Sequence, residues 1–166
     1  ENIYYYPSNQ NEADANAQQL AAIQPQDLIP VLTVNGESRP LFTPQNCLLS
    51  RDDQDQTYAY PVYTSVTAIP LTSPGAAESV CFNEESSGIY VSQEALYLSQ
   101  YRYSDKGEST RIHKFKLTLG RPEYRGSADI AGQLWGPGQS DFRMSERNGL
   151  LRIVTTVFTH DNEDLR

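Results

Sequence analysis

The side chains best suited to catalysis or metal binding are scattered along this sequence. The two histidines, His113 and His160, stand apart, with no H-x-H or H-E-x-x-H spacing that would place two imidazoles on one ion. No G-x-S-x-G segment occurs, so a turn that exposes a nucleophilic serine is not indicated. We predict no catalytic residue, no metal site and no cofactor, and we expect both histidines to have ordinary packing or surface positions.

Two acidic stretches are the remaining candidates for cation binding. Residues 51–57 contain three aspartates (Asp52, Asp53 and Asp55), and the C-terminal HDNEDLR contains three further acids. Clustered carboxylates bind Ca²⁺, but the first stretch lacks the D-x-[DN]-x-[DN]-G frame and the glutamate at the twelfth place. We interpret the first stretch as a solvated loop and the second as a charged connector.

The two cysteines, Cys47 and Cys81, are too few and too far apart to supply a four-ligand zinc site. Two interpretations stay open. An exported protein would keep them as a disulfide, because oxidising compartments preserve such bridges. A cytosolic protein would bury them as two small apolar side chains.

Charge and length exclude several classes of function. The chain has 166 residues, with 13 basic and 21 acidic side chains and a net charge of −8. Nucleic acid and anionic membrane surfaces require a Lys/Arg excess, so neither is expected as a partner. No apolar run approaches the roughly 18 residues of a membrane span. Because the chain starts at Glu1 without a methionine or a signal segment, we expect a processed protein or a piece of a longer one.

The elements that must position any site are mainly strands. Eleven tyrosines, ten glycines and ten prolines favour pleated strands and tight turns. One helix is predicted over residues 11–23, with Asn11 as its cap, one apolar face (Ala13, Ala17, Leu20 and Ala21) and Pro25 beyond its end. Residues 28–34, Asn35-Gly36 and a return toward residue 42 predict a hairpin, because both turn residues tolerate positive φ.

A repeated order of strands follows. Alternating patterns over residues 64–71, 79–82, 89–92 and 95–103 predict a four-stranded meander, and similar patterns recur over 110–119, 122–127, 142–146 and 150–159. Val66 and Ile112 are 46 positions apart and Leu96 and Leu151 are 55 apart, so the second unit has about nine extra residues, mostly in the loop over 129–139.

Four short strands in a repeat of 40–50 residues are typical of propeller blades. We predict an all-β fold of antiparallel, four-stranded, blade-like sheets: a partial β-propeller with one short N-terminal helix. The predicted divisions are an N-terminal extension over 1–27, a hairpin and loop over 28–63, and repeats over 64–108 and 109–166, the latter with a loop insertion at 129–141. Because two units cannot close a propeller, a fragment of a longer chain is expected. A small β-sandwich is the alternative architecture.

One segment resembles a known family. Gly126-Ser127, Gly132-Gln133-Leu134 and above all residues 142–156 (FRMSERNGLLRIVTT) are similar to the signature of a bacterial and archaeal family of exported β-propeller proteins distantly related to WD-repeats. The likeness extends from about Ile29 onward. The chain departs from the family pattern at Trp135, at Arg143 and in the longer stretch over 136–141. The resemblance implies a secreted, periplasmic or lipid-anchored protein and supplies no catalytic residue.

Three residues are candidate contacts with a ligand or partner. Trp135, the only tryptophan, lies in the inserted loop. Glu146 and Arg152 flank the Asn148-Gly149 turn, where they form either an ion pair that holds the hairpin or a polar ligand site. The first hypothesis is a non-enzymatic module of the cell envelope that binds a protein or a glycan through such loops. The alternative is a hydrolase with its site in the propeller channel, completed by blades outside this chain. The two visible units share no reactive residue type, which favours binding.

Overall fold

The computed structural model describes residues 3, 6–48, 62–104, 107–118, 120–134 and 140–157. The chain divides into two compact units, Glu1–Asn46 and Cys47–Arg166. The finer division into repeats made from the sequence stays a prediction. No helix in the described ranges has the length and apolar character needed to cross a membrane.

The first unit contains the predicted helix and the predicted hairpin. Helix α1 (Gln10–Ala22) starts earlier than expected, because its cap is Asn9, two residues before the predicted cap Asn11, and the Asn9 side chain accepts a hydrogen bond from the Glu12 N–H. Its predicted apolar face is not buried: no residue of α1 is buried, since its small alanines gain little from packing. Strands β1 (Val31–Val34) and β2 (Glu37–Pro40) pair in antiparallel register. Asn35 and Gly36 join them at φ values of 53° and 85°, which confirms the hairpin.

Within its described residues, the second unit contains three sheets. The first has the order β3-β5-β4, the second, called the central sheet, has the order β6-β7-β8-β9, and the third is the hairpin β10-β11. All pairs are antiparallel except β3 with β5. The strands are β3 (Cys47–Leu48), β4 (Thr64–Ala68), β5 (Glu78–Phe82), β6 (Gly88–Val91), β7 (Ala95–Ser104), β8 (Gly107–Thr118), β9 (Arg121–Ala131), β10 (Met144–Arg147) and β11 (Leu150–Ile153).

Each predicted strand from residue 64 onward overlaps an observed one, but β3 was not predicted, and the predicted strands over 64–71, 142–146 and 150–159 include residues outside β4, β10 and β11. The predicted meander from residue 64 to residue 103 is wrong as a single sheet. β4 and β5 belong to the first sheet, whereas β6 and β7 pair with β8 and β9. Each sheet boundary therefore lies two strands away from the boundary expected from the repeat. The physical reason is that two consecutive strands can either pair in one sheet or belong to two different sheets. A sequence repeat therefore fixes the spacing of the strands, but not the strand at which each sheet starts.

The central sheet is covered on both faces, and each face has its own apolar cluster. The face toward the β10-β11 hairpin, called the front face, contributes Tyr97 and Ile112 to a cluster with Met144 and Leu134. The opposite or back face contributes Leu98 and Phe115, which pack with Phe82 of the first sheet. Successive sheets stacked face to face are the arrangement of neighbouring blades. The all-β, blade-like fold is thus confirmed, and the described strands do not close into a ring.

Candidate functional site

The candidate site is built around polar residues of β8. Their side chains alternate between the two faces of the central sheet and contact charged residues on both. On the back face, His113 is 5% exposed and its Nε2 lies 2.9 Å from Glu84 Oε2. Arg111, also 5% exposed, lies with Nη1 3.5 Å from Glu84 Oε1 and donates from Nε and Nη2 to both oxygens of Asp129 at 2.7 and 2.9 Å. We call Glu84, Arg111, His113 and Asp129 the back ion cluster.

The back ion cluster joins two sheets. Glu84 follows β5 in the connection from the first sheet to the central one, and Arg111 and His113 are on β8. The imidazole of His113 is also 4.8 Å from the Phe82 ring and 3.3 Å, through Nδ1, from the Tyr124 hydroxyl. Both ring nitrogens therefore have partners. These contacts attach the connection after β5 to the back face of the central sheet.

A β-bulge makes this cluster possible. The β8-β9 register shifts between Lys114 and Phe115, so Tyr124 pairs with Phe115 while Asp129 pairs with Arg111. Without the extra residue, side chains five positions apart on β9 would point to opposite faces. Gly126, at the bulge, has φ 129°, a conformation that favours glycine. The bulge thus brings the Tyr124 hydroxyl and the Asp129 carboxylate to the same face.

A second polar group lies on the front face. Lys114 follows His113 in β8 but points the other way, and its Nζ is 3.4 Å from Glu146 Oε1 on β10. The Ser92 hydroxyl donates to Glu146 Oε2, and the Glu146 N–H donates to the Tyr90 hydroxyl at 3.0 Å. The Lys114 amine also lies 5.2 Å from the centre of the Tyr97 ring, within range of a cation–π interaction. We call Ser92, Lys114 and Glu146 the front ion cluster.

Charge and hydrogen bonds shift the titration of these groups. The hydrogen bond from Ser92 holds the pKa of Glu146 below its ordinary value, and the Tyr97 hydroxyl and then the Lys114 charge lower this pKa further. The neighbouring Tyr97 hydroxyl, together with the Glu146 charge, raises the pKa of Lys114, and burial raises the pKa of Tyr97. On the back face, the hydrogen bonds from Arg111 lower the pKa of Asp129. The charged forms of Glu146, Lys114 and Asp129 are therefore favoured, which strengthens their contacts with the opposite charges.

The structure separates Glu146 from Arg152. In the β10-β11 register Arg152 faces Ser145, and Glu146 faces Leu151. Opposite partners share a face and the face alternates along each strand, so Glu146 points inward to Lys114 while Arg152 points outward. The predicted ion pair between them is wrong for this reason. The Asn148-Gly149 turn is confirmed, with φ values of 54° and 73°.

Other predictions have mixed outcomes. Leu151 and Ile153 pack against the front apolar cluster, whereas Phe142 lies in a 3₁₀ turn before β10 and is 84% exposed. Cys47 and Cys81 form a disulfide between directly opposed residues of β3 and β5. His113 has a packing position, as predicted. The predictions for Trp135, His160 and both acidic stretches fall outside the described residues.

Sequence reasoning missed Glu84, Arg111 and Asp129 as members of one cluster. One signal was available: in the TRIHKFKL segment, Arg111 and His113 share a strand face with the apolar Phe115. Charged residues on a face with a buried aromatic side chain indicate buried partners. The identity of those partners depends on contacts between residues far apart in sequence.

A family model described as a beta propeller domain matches residues 1–165. Neither the curated proteins nor the solved structures include a match to this chain.

Proposed function

Because the chain belongs to the β-propeller domain family, we propose that it is a non-enzymatic interaction module of the cell envelope or of secreted proteins, with a protein or a glycan as its partner. The observation that supports this most directly is the use of the polar residues on β8. His113 and Lys114 bind carboxylates of the neighbouring sheets, so these residues stabilise the stack of sheets. We therefore expect surface segments to bind the partner, as in folds that position binding loops on a rigid scaffold.

One end of the central sheet is the best place for such a contact. β7 and β8 are joined there, and β9 ends at Ala131 beside Ser109. The loop insertion begins at the same end, because the Gly132 N–H donates to the Glu108 carbonyl oxygen at 2.9 Å. Trp135 follows three residues later in the sequence. The start of the loop insertion and the end of the β7-β8 hairpin therefore lie together at one end of the central sheet.

The Cys47–Cys81 disulfide supports the extracytoplasmic location in this proposal. Disulfides persist in secreted and periplasmic proteins and are rare in cytosolic ones. Cys81 is fully buried, so its sulfur is protected once the bridge has formed. Periplasmic, secreted and surface-anchored locations all fit this chemistry.

The proposal is tested with the single tryptophan as reporter. Purified full chain is titrated with solubilised cell-wall polysaccharide and, separately, with an envelope protein extract, while Trp135 emission is followed. We expect a saturable change in emission with one of the two, and weaker binding of the Trp135→Ala variant in a label-free assay. Phe142→Ala is the control, since it removes another exposed aromatic side chain. Turnover of a glycosidic or ester substrate by the native protein that contains this chain, with no saturable binding by the chain itself, would instead support the hydrolase alternative.

A further inference from the structure

The β7-β8 hairpin extends beyond its neighbour β6. β6 pairs with β7 only from Val91 opposite Leu96 to Gly88 opposite Ser99, whereas β7 continues, paired with β8, to Ser104. Tyr101 and Tyr103 lie on this extension, two residues apart and therefore on one face. Their side chains are 45% and 77% exposed. Two exposed tyrosines on one face of a projecting hairpin form an aromatic surface that the stack of sheets does not require.

A carboxylate lies beside the two tyrosines. Glu108 is directly opposite Tyr103 in the β7-β8 register, and its Oε1 accepts a hydrogen bond from the Tyr101 hydroxyl at 3.1 Å. Its Oε2 is buried and has no hydrogen-bond partner within the described residues. A carboxylate oxygen has two lone pairs, so Oε1, which accepts from Tyr101, has capacity for one further donor. We call Tyr101, Tyr103 and Glu108 the tyrosine platform.

The open edge of β7 adds backbone groups to the platform. The Ala95 and Ser99 carbonyl oxygens accept hydrogen bonds on the β6 side of β7. Backbone groups alternate between the two edges of an antiparallel strand, so those of Tyr101 and Tyr103 face the same side. No described strand pairs with that edge beyond Ser99. It therefore offers donors and acceptors next to the aromatic rings.

From these features we infer that the tyrosine platform binds a neutral glycan, an inference that rests on the proposed interaction function and names its ligand class. The C–H face of a sugar ring packs on an aromatic ring, and its hydroxyls donate to a carboxylate and exchange hydrogen bonds with backbone groups. The acidic Glu108 and the net charge of −8 disfavour an anionic ligand. A peptide strand fits less well, because the free edge from Tyr101 to Tyr103 is shorter than a usual strand of about five residues.

The experiment is affinity electrophoresis of the full chain in gels that contain a soluble glucan or a soluble glycol chitin, followed by calorimetry with cellohexaose and chitohexaose. We expect retardation by at least one polymer and saturable binding of the matching hexamer. Tyr103→Ala is expected to weaken that binding roughly tenfold through lost ring packing, and Glu108→Gln to weaken it less. Tyr6→Ala is the matched control, because Tyr6 is 86% exposed and lies in the other unit. Circular dichroism verifies that each variant folds.

Two outcomes would overturn the inference. If neither polymer retards the chain, or if binding is unchanged in Tyr103→Ala, the platform is not a glycan site. If a fluorescent seven-residue peptide binds and Tyr103→Ala abolishes that binding, the edge takes a peptide instead. The proposed interaction function survives either result when an envelope fraction still changes Trp135 emission, so the two failures are distinguishable.

Discussion

His113 and Lys114 are consecutive residues of β8 whose side chains contact carboxylates on opposite faces of the central sheet. His113 Nε2 lies 2.9 Å from Glu84 in the connection from the preceding sheet, and Lys114 Nζ lies 3.4 Å from Glu146 in the following one. One strand thus links three successive sheets. The alternation of side chains along a strand makes this possible, since neighbouring residues point in opposite directions.

Loss of the Glu84 carboxylate is expected to destabilise the second unit strongly. Glu84→Gln removes a buried negative charge that lies between Arg111 and His113, so we expect a cost of about 3 kcal/mol in the free energy of unfolding. Urea denaturation of the purified chain measures it. The control is Glu85→Gln, at an adjacent and exposed position. Equal stability of the two variants would show that the back ion cluster contributes nothing to the contact between sheets.

Acid is expected to weaken the contacts between sheets. The pKa values of Glu146 and Asp129 are held below their ordinary values of 4.5 and 3.8 by Ser92 and Arg111 respectively. A lowered folded-state pKa stabilises the protein above the ordinary value, and that contribution is lost as the pH falls through the folded-state value. Thermal melts between pH 7 and pH 3 should show a melting temperature that drops below about pH 4.5. A Glu146→Gln/Asp129→Asn double variant should show a shallower drop, and an unchanged slope would contradict the assignment.

The disulfide is expected to stabilise the second unit. It closes a separation of 34 residues between Cys47 and Cys81. Because β3 pairs with β5 over only two residues, the disulfide supplies much of the attachment of β3 to β5. Reduction, or the Cys47→Ser/Cys81→Ser variant, should lower the free energy of unfolding by about 2–4 kcal/mol. Identical melting temperatures with and without reductant would count against the bridge, and maleimide labelling before and after reduction checks that it has formed.

Gly132 is expected to tolerate no side chain. Its φ is 85°, and a Cβ there would lie 2.6 Å from the Thr156 carbonyl oxygen. Gly132→Ala should therefore disturb the backbone bridge between Gln133 and Thr156 and cost about 1–3 kcal/mol. Gly75→Ala is the matched control, because it meets no atom within 4 Å and φ is not positive. Chemical denaturation compares the two, and a loss no larger than that of the control would refute this packing.

Much of the local structure follows from short stretches of sequence. The Asn35-Gly36 and Asn148-Gly149 turns were predictable because both residues adopt positive φ at low cost. The inward positions of Leu151 and Ile153 follow from alternation along β11. The tyrosine platform was not predicted, since exposed tyrosines in an alternating strand have the same pattern as buried ones.

The sequence by itself determined the order and the period of the strands, because propensity and turn geometry act over a few residues. Only the tertiary structure decided where one sheet ends and the next begins, and which carboxylate meets which cation. Glu84 and His113 are 29 residues apart, and their pairing depends on the stacking of two sheets. The bulge at Gly126 reverses the faces of β9 partway along the strand, so periodicity alone does not place Asp129 beside Arg111.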